Sequence, residues 1–157
     1  MINLKTEQEI AIMKEGGQIL GRIAKEVSLL AVEGIELRYL DKIAHNLMIK
    51  AGGRPAFLNY RPEWAQKPYP ASICASVNNV IVHGLPNNYK LRNGDLLKID
   101  FGLLYKDFYT DIALTVGIWK ISEVGQKLIF VTKKALDIAL TNCYAGKTLG
   151  DIVYAIN

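Results

Sequence analysis

Two aspartates and one histidine stand out in this chain by type and spacing. The run Leu96-Leu97-Lys98-Ile99-Asp100-Phe101-Gly102-Leu103-Leu104-Tyr105-Lys106-Asp107-Phe108-Tyr109-Thr110-Asp111-Ile112-Ala113-Leu114-Thr115 reads as a β-hairpin with a two-residue turn at Lys106-Asp107. If Tyr105 pairs with Phe108, then Asp100 lies opposite Ala113 and Asp111 opposite Gly102. Side chains alternate along a strand, so both aspartates fall on one face as diagonal neighbours, with Cβ atoms roughly 6–8 Å apart. Ile99, Phe101, Leu103 and Ile112 are expected to surround them, and burying an unpaired carboxylate is costly. One remedy is metal: two divalent ions about 3.5–4 Å apart would fit between diagonal carboxylates, one of which could bridge both. The alternative is two solvated acids on an exposed face, or carboxylates accepting backbone N–H groups in turns.

His83 follows the apolar run Val80-Ile81-Val82 and precedes Gly84-Leu85-Pro86. A histidine at a strand exit either points into a site or bonds a carbonyl locally. His45 lies inside a helical pattern and reads as structural. Cys74 sits in a strand, as a small core hydrophobe or a pocket-lining thiol. No Ser- or Cys-centred triad, glycine-rich phosphate loop or CxxC motif is legible.

The elements that must position these residues have clear signals. Thr6-Glu7-Gln8-Glu9 is a capping box. Ile10, Met13, Ile19, Leu20, Ile23, Ala24, Val27 and Leu30 follow at helical steps, and this helix ends before Gly34. A second helix is expected from Glu36 to Lys50, with Leu37, Leu40, Ile43, Ala44 and Leu47 on one side and Gly52-Gly53 stopping it. Arg54 to Pro70 holds four of the five prolines and reads as an ordered loop. Strands are expected at Ser72–Val77, Val80–Val82, Leu96–Leu104 and Phe108–Gly117. A third helix opens at Ser122, with Leu128, Ile129, Val131, Ala135, Leu136, Ile138 and Ala139 on its apolar face, and ends at Gly146. Thr148 caps a fourth. Gly34-x-x-Leu37-x-x-Leu40 and Gly146-x-x-Leu149-x-x-Ile152 share one layout, which hints at duplication.

The 157 residues carry a dispersed net charge of +4, compatible with ordinary solubility or with contact to nucleic acid or a ribosome surface. Two cysteines exclude a disulfide framework. No apolar run approaches the ~18–20 residues that span a bilayer, and no secretory leader is legible, so a cytoplasmic, non-membrane protein is expected.

Four stretches taken together are similar to one family. They are Leu4-Lys5-Thr6-Glu7-Gln8-Glu9-Ile10 through Gly17, Tyr69 through Pro86 with its Ser76-Val77-Asn78 and His83-Gly84-Leu85-Pro86 elements, Gly94-Asp95 through Ile99-Asp100, and Tyr109-Thr110-Asp111. In this order they resemble type I methionine aminopeptidases of the creatinase/aminopeptidase superfamily. The resemblance runs from Leu4 to Asn157. It implies an α+β "pita-bread" fold with an antiparallel sheet covered by helices and two related halves. On that view residues 1–157 are a single incomplete catalytic domain, with 1–119 the complete first half and 120–157 the opening helices of a truncated second.

The resemblance also implies a site of two divalent metal ions (Co, Mn, Fe or Zn). Asp100 would chelate one ion and Asp111 bridge both, and a metal-bound hydroxide would attack the peptide carbonyl. His83 would contact substrate and stabilise the tetrahedral intermediate, while Phe57, Tyr60, Tyr69 and Cys74 would line a methionine pocket. The substrate would be the N-terminal methionine of peptides and nascent chains, in the cytoplasm, with possible ribosome contact. Three departures stand out. Arg61–Lys67 looks like an insertion. Asp107-Phe108 stands where the family has Asp-Gly. The family's remaining His and two Glu ligands are absent, since after Trp119 the acids are Glu123, Asp137 and Asp151. The chain alone is therefore expected to be inactive, and to pair with itself or with a missing C-terminal half. A proline-directed relative (Xaa-Pro aminopeptidase or prolidase) and a truncated, inactive binding chain are the alternatives.

Overall fold

Helix α1 (Glu7–Leu29) starts where the capping box directs it. The Glu9 N–H donates to Thr6 Oγ1 at 3.3 Å, and the Thr6 N–H donates to Glu9 Oε2 at 2.7 Å. The computed structural model describes residues 4–157; the first three residues of the 1–157 span lie outside it. Helix α2 (Leu37–Lys50) ends at Ala51, after which Gly52 takes φ +80°, the left-handed conformation expected of a C-terminal glycine. The strands are β1 (Arg54–Pro55), β2 (Ile73–Val77), β3 (Leu96–Tyr105) and β4 (Phe108–Gly117), followed by α3 (Glu123–Asn142) and α4 (Leu149–Ile156). Gly34 and Gly146 both have positive φ, each three residues before the helix that follows, so the repeated sequence layout is also a repeated backbone layout.

β3 is the spine of an antiparallel sheet, hydrogen-bonded to all three other strands. β4 pairs along its whole length, so β1 and β2 share its other edge, opposite Leu103–Leu104 and Leu97–Phe101 respectively. Leu97, Ile99, Phe101 and Leu103 are fully buried, each worth about 1.5–3 kcal/mol of apolar burial. They join Leu20, Ile23 and Val27 of α1 and Leu40, Ala44 and Met48 of α2 in one core. At Gly16 α1 packs on the hairpin, where a Cβ would meet Thr110 and Tyr105 at 3.5 Å, an ordinary contact distance. Both helices therefore cover one face of the sheet. The outer edge of β4 carries no partner strand among the described residues.

The chain divides into two compact units, one ending at Lys120 and the other running from Ile121 to Asn157. In the second, α3 and α4 pack on each other. The Ser122 and Thr148 side chains cap them as expected. The apolar face read for α3 is formed but not buried: Leu128, Val131 and Leu136 are exposed.

Two expectations need correction. Val80–Val82 is not a strand. Asn78 turns the chain at φ +49°, the Val80 N–H donates to Val77 O, and all three valine/isoleucine side chains face solvent. With no neighbouring strand to pair, an apolar β-branched run stays irregular. Ile99, Phe101, Leu103 and Ile112 do not surround the aspartates either. Alternation sends them to the helix-covered face, opposite Asp100 and Asp111.

The hairpin turn falls at Lys106-Asp107, with φ +47° and +69°, and Tyr105 pairs with Phe108. Two left-handed residues in a two-residue turn favour glycine at the second position. Asp107→Gly should therefore stabilise the fold by about 0.5–1 kcal/mol, read as a higher urea midpoint at unchanged slope.

Candidate metal centre and substrate pocket

The face of β3 turned away from the helices presents Lys98, Asp100, Gly102 and Leu104. Register then places the site. Asp100 pairs with Ala113 on one side and Cys74 on the other, and Gly102 pairs with Asp111. Cys74, Asp100 and Asp111 consequently share one face, and the two aspartates are diagonal neighbours with Cβ atoms about 7–8 Å apart. Asp100 is half-buried and its Oδ1 is shut from solvent with no hydrogen-bond partner. Asp111 is exposed.

Burial raises the Asp100 carboxyl above the usual carboxylate range, the Asp111 charge adds to this, and His83 opposes it. Partial desolvation against the sheet raises the Asp111 carboxyl as well, although its side chain is open to solvent. An acid raised by burial, with one buried oxygen left unpaired, is a candidate for holding a cation. The donor set fits a hard divalent cation in type but not in number. Among the described residues, no group of three or more His, Cys, Asp or Glu converges on a metal position.

His83 reaches this face through an unusual backbone. It adopts φ +58°, at a cost of about 1–2 kcal/mol for a residue with a Cβ. Such strain persists only where neighbours hold it. Here the clamp is Gly84: its N–H donates to Ser76 Oγ at 3.0 Å and its carbonyl accepts from Ala75 N–H at 2.8 Å. Tyr69 Oη donates to the same carbonyl, and to that of Ile73, both at 3.1 Å. A Cβ on Gly84 would run into the backbone of Ala75 and Ser76.

The loop before His83 is tied at its other end by Asn78. Its side chain donates to Asp95 Oδ1 and accepts from Leu96 N–H. Asp95 also accepts from Tyr89 Oη and Arg92 N–H. Burial would raise its carboxyl, but these donors together hold it below its ordinary value. The Ser76, Asn78, Gly84 and Asp95 of the sequence motifs are thus positioning residues, and none is a candidate ligand.

The remaining candidates gather beside the carboxylates. Phe57 lies over Gly102, where a Cβ would strike its ring. Cys74 is buried. Burial above all, then the Asp100 and Asp111 charges, hold its thiol above the ordinary value against a hydrogen-bonding contribution from Tyr69. It is a neutral thiol, unsuited to nucleophilic attack. Burial likewise raises Tyr69, which stays a neutral donor. Tyr60 is largely exposed.

Sequence reasoning missed Asp41. Its carboxylate accepts the Ser72 and Ile73 N–H groups at 2.8 and 3.1 Å and starts β2 in the right place. An acid five residues after Glu36 in the second helical pattern, off its apolar face, was the available signal. His45 bonds Ser72 Oγ through Nδ1 at 2.9 Å, a local structural contact. A cleft of about 360 Å³, lined by His45, Arg54, Asn59, Leu104 and Tyr109 among others, opens at the hairpin-turn end of the sheet, beyond the carboxylate pair.

Residues 11–157 match the sequence profile of metallopeptidase family M24. The methionine aminopeptidase of Aquifex aeolicus is 38% identical over 157 residues, an alignment covering 99% of this chain and 61% of that protein. A crystal structure of methionine aminopeptidase from Rickettsia prowazekii superposes with a TM-score of 0.93 at 29% identity, covering 99% of this chain and 60% of the other. The chain thus spans about 60% of the length of such relatives and is similar to their N-terminal portion. Escherichia coli aminopeptidase P shares the fold alone, with a TM-score of 0.80 at 19% identity over 97% of this chain and 32% of its own. The α+β pita-bread architecture expected from the sequence is the one found.

Two outcomes follow for stability. Gly84→Ala should cost about 2–4 kcal/mol, because the atoms it strikes are strand backbone and cannot swing away. It should appear as a lowered urea midpoint. Asp100→Asn should raise the urea midpoint of the metal-free protein at neutral pH. The parent's Asp100 carboxyl is raised in the folded state, so its penalty is absent below the unfolded value and grows as pH rises through the folded one. Denaturation in EDTA should show the gap between Asp100→Asn and parent closing as pH falls below about 4.

Proposed function

The chain belongs to metallopeptidase family M24, and on that premise we propose that it serves the metal-dependent removal of N-terminal methionine from polypeptides, including nascent chains in the cytoplasm. The observation that carries this reading is one sheet face. It joins a carboxylate with a buried, unpartnered oxygen, a second carboxylate one diagonal away, and the Phe57 ring laid over Gly102 beside them. The relatives named methionine aminopeptidase support methionine as the residue removed.

Asp100 and Asp111 would hold the divalent cations. A divalent cation bound there supplies Lewis acidity to the scissile carbonyl. This chain's own residues do the rest. Phe57, Tyr69 and Cys74 enclose the methionine side chain, whose thioether packs favourably against aromatic rings, and Tyr60 forms the rim. His83, held outward by its left-handed backbone, donates a hydrogen bond to the carbonyl oxygen as it gains charge.

Two carboxylates are too few ligands to hold cations tightly. The 157 residues alone therefore bind substrate and metal weakly and do not turn over. The ten-residue open edge of β4 is where a further segment or a second copy would pair. That open edge is also compatible with a second reading, a non-catalytic chain that binds a protein partner.

Calorimetric titration with Mn²⁺ or Co²⁺ separates the two. Binding that Asp100→Ala and Asp111→Ala each weaken tenfold or more is expected, together with binding of Met-Ala-Ser and no release of methionine. Metal binding indifferent to both substitutions would leave the non-catalytic reading. Tighter binding of an Ala-Pro peptide than of Met-Ala-Ser would redirect the assignment to proline-directed hydrolysis. Methionine release that Asp111→Ala abolishes would overturn the claim that this length is inactive.

A further inference from the structure

The residues between Tyr60 and Tyr69 form a closed loop that the pocket does not use. The Asn59 N–H donates to Tyr69 O and the Tyr69 N–H to Tyr60 O, both at 2.8 Å, which draws the two ends into a neck. An inner turn closes where the Ala65 N–H donates to Pro62 O at 2.9 Å. Pro62 and Pro68 each fix a backbone φ, so the loop has little freedom to fold down on itself. At its tip Trp64 is 87% exposed, and Tyr60 at the neck is 61% exposed. A rigid loop that keeps an indole in water forgoes the burial that a tryptophan ordinarily gains.

The neck is rooted in the candidate site. Tyr69 bonds the carbonyl of Gly84, next to His83, and Phe57, three residues before Tyr60, lies over Gly102, the partner of Asp111. Trp64 is four residues from Tyr60, a reach of at most about 14 Å. An extended peptide advances about 3.3 Å per residue. With a first residue in the Phe57–Cys74 pocket, residues three to five of the same peptide come within reach of the loop. Arg61 and Lys67 outnumber Glu63 on it, so it carries one net positive charge.

We propose that the Tyr60–Tyr69 loop is a docking arm for the substrate polypeptide beyond its first two residues. Trp64 stacks on an apolar or aromatic side chain, and Arg61 and Lys67 favour an acidic neighbour. The arm rests on the reading of the pocket as a methionine site, and deepens it by making affinity depend on peptide length.

The test uses the 157-residue chain with Trp119→Phe as background, so that Trp64 is the sole tryptophan. Met-Ala-amide and Met-Ala-Ser-Phe-Asp-amide are titrated while tryptophan emission and heat are read. The pentapeptide should bind about tenfold more tightly than the dipeptide and shift Trp64 emission to the blue. Trp64→Ala should bring the two affinities within about twofold while leaving the dipeptide unchanged. A length advantage that survives Trp64→Ala, or no length advantage at all, would overturn the arm and leave the pocket standing. Binding of neither peptide would overturn the pocket and the arm together. Concentration-dependent association by light scattering that Trp64→Ala abolishes would assign the indole to a second copy of the chain, and overturn the arm.

Discussion

Everything at the candidate site depends on the alternation of β3. Leu97, Ile99, Phe101 and Leu103 are all fully buried beneath α1 and α2. A one-residue slip would exchange this set for Lys98, Asp100, Gly102 and Leu104, and would place a lysine and an aspartate in an apolar core. The core thus enforces the register, and the register delivers Asp100 to the open face. Asp111 follows because the Lys106-Asp107 turn locks β4 to β3 with Gly102 opposite it. The metal-binding reading is a by-product of how the opposite face packs.

A second layer holds the loops. Gly84 is zipped to β2 by Ser76 and Ala75, Tyr69 bonds the same glycine carbonyl, and Asn78 and Asp95 hold the far end. Apart from Tyr69, these groups touch no candidate substrate, yet together they keep His83 in a left-handed conformation that it would otherwise leave. They also explain why the recognisable motifs contain more residues than the chemistry uses: most of them orient the one that reacts.

Much of this was legible in the residues. The capping box at Thr6, the N-cap at Thr148, the glycine stop at Gly52 and the hairpin parity all follow from local rules, in which a few neighbouring residues satisfy one another's hydrogen bonds. The shared face of Asp100 and Asp111 needed only the period of two. What misled was context: Val80–Val82 has the composition of a strand but no strand to pair with, and the apolar residues flanking the aspartates in sequence lie behind them in space. Asp41 escaped notice because its partners, the Ser72 and Ile73 amides, are some thirty residues away.

The sequence by itself determined which residues form helices and the hairpin, and that two carboxylates share a face, because periodicity and capping act over a few residues. The tertiary structure decided the rest. It buried one oxygen of Asp100 without a partner, left Asp111 open, laid Phe57 over Gly102, and turned His83 outward. Those outcomes depend on which distant segments exclude water from a given atom, and exclusion of water is a property of the packed chain, not of local spacing.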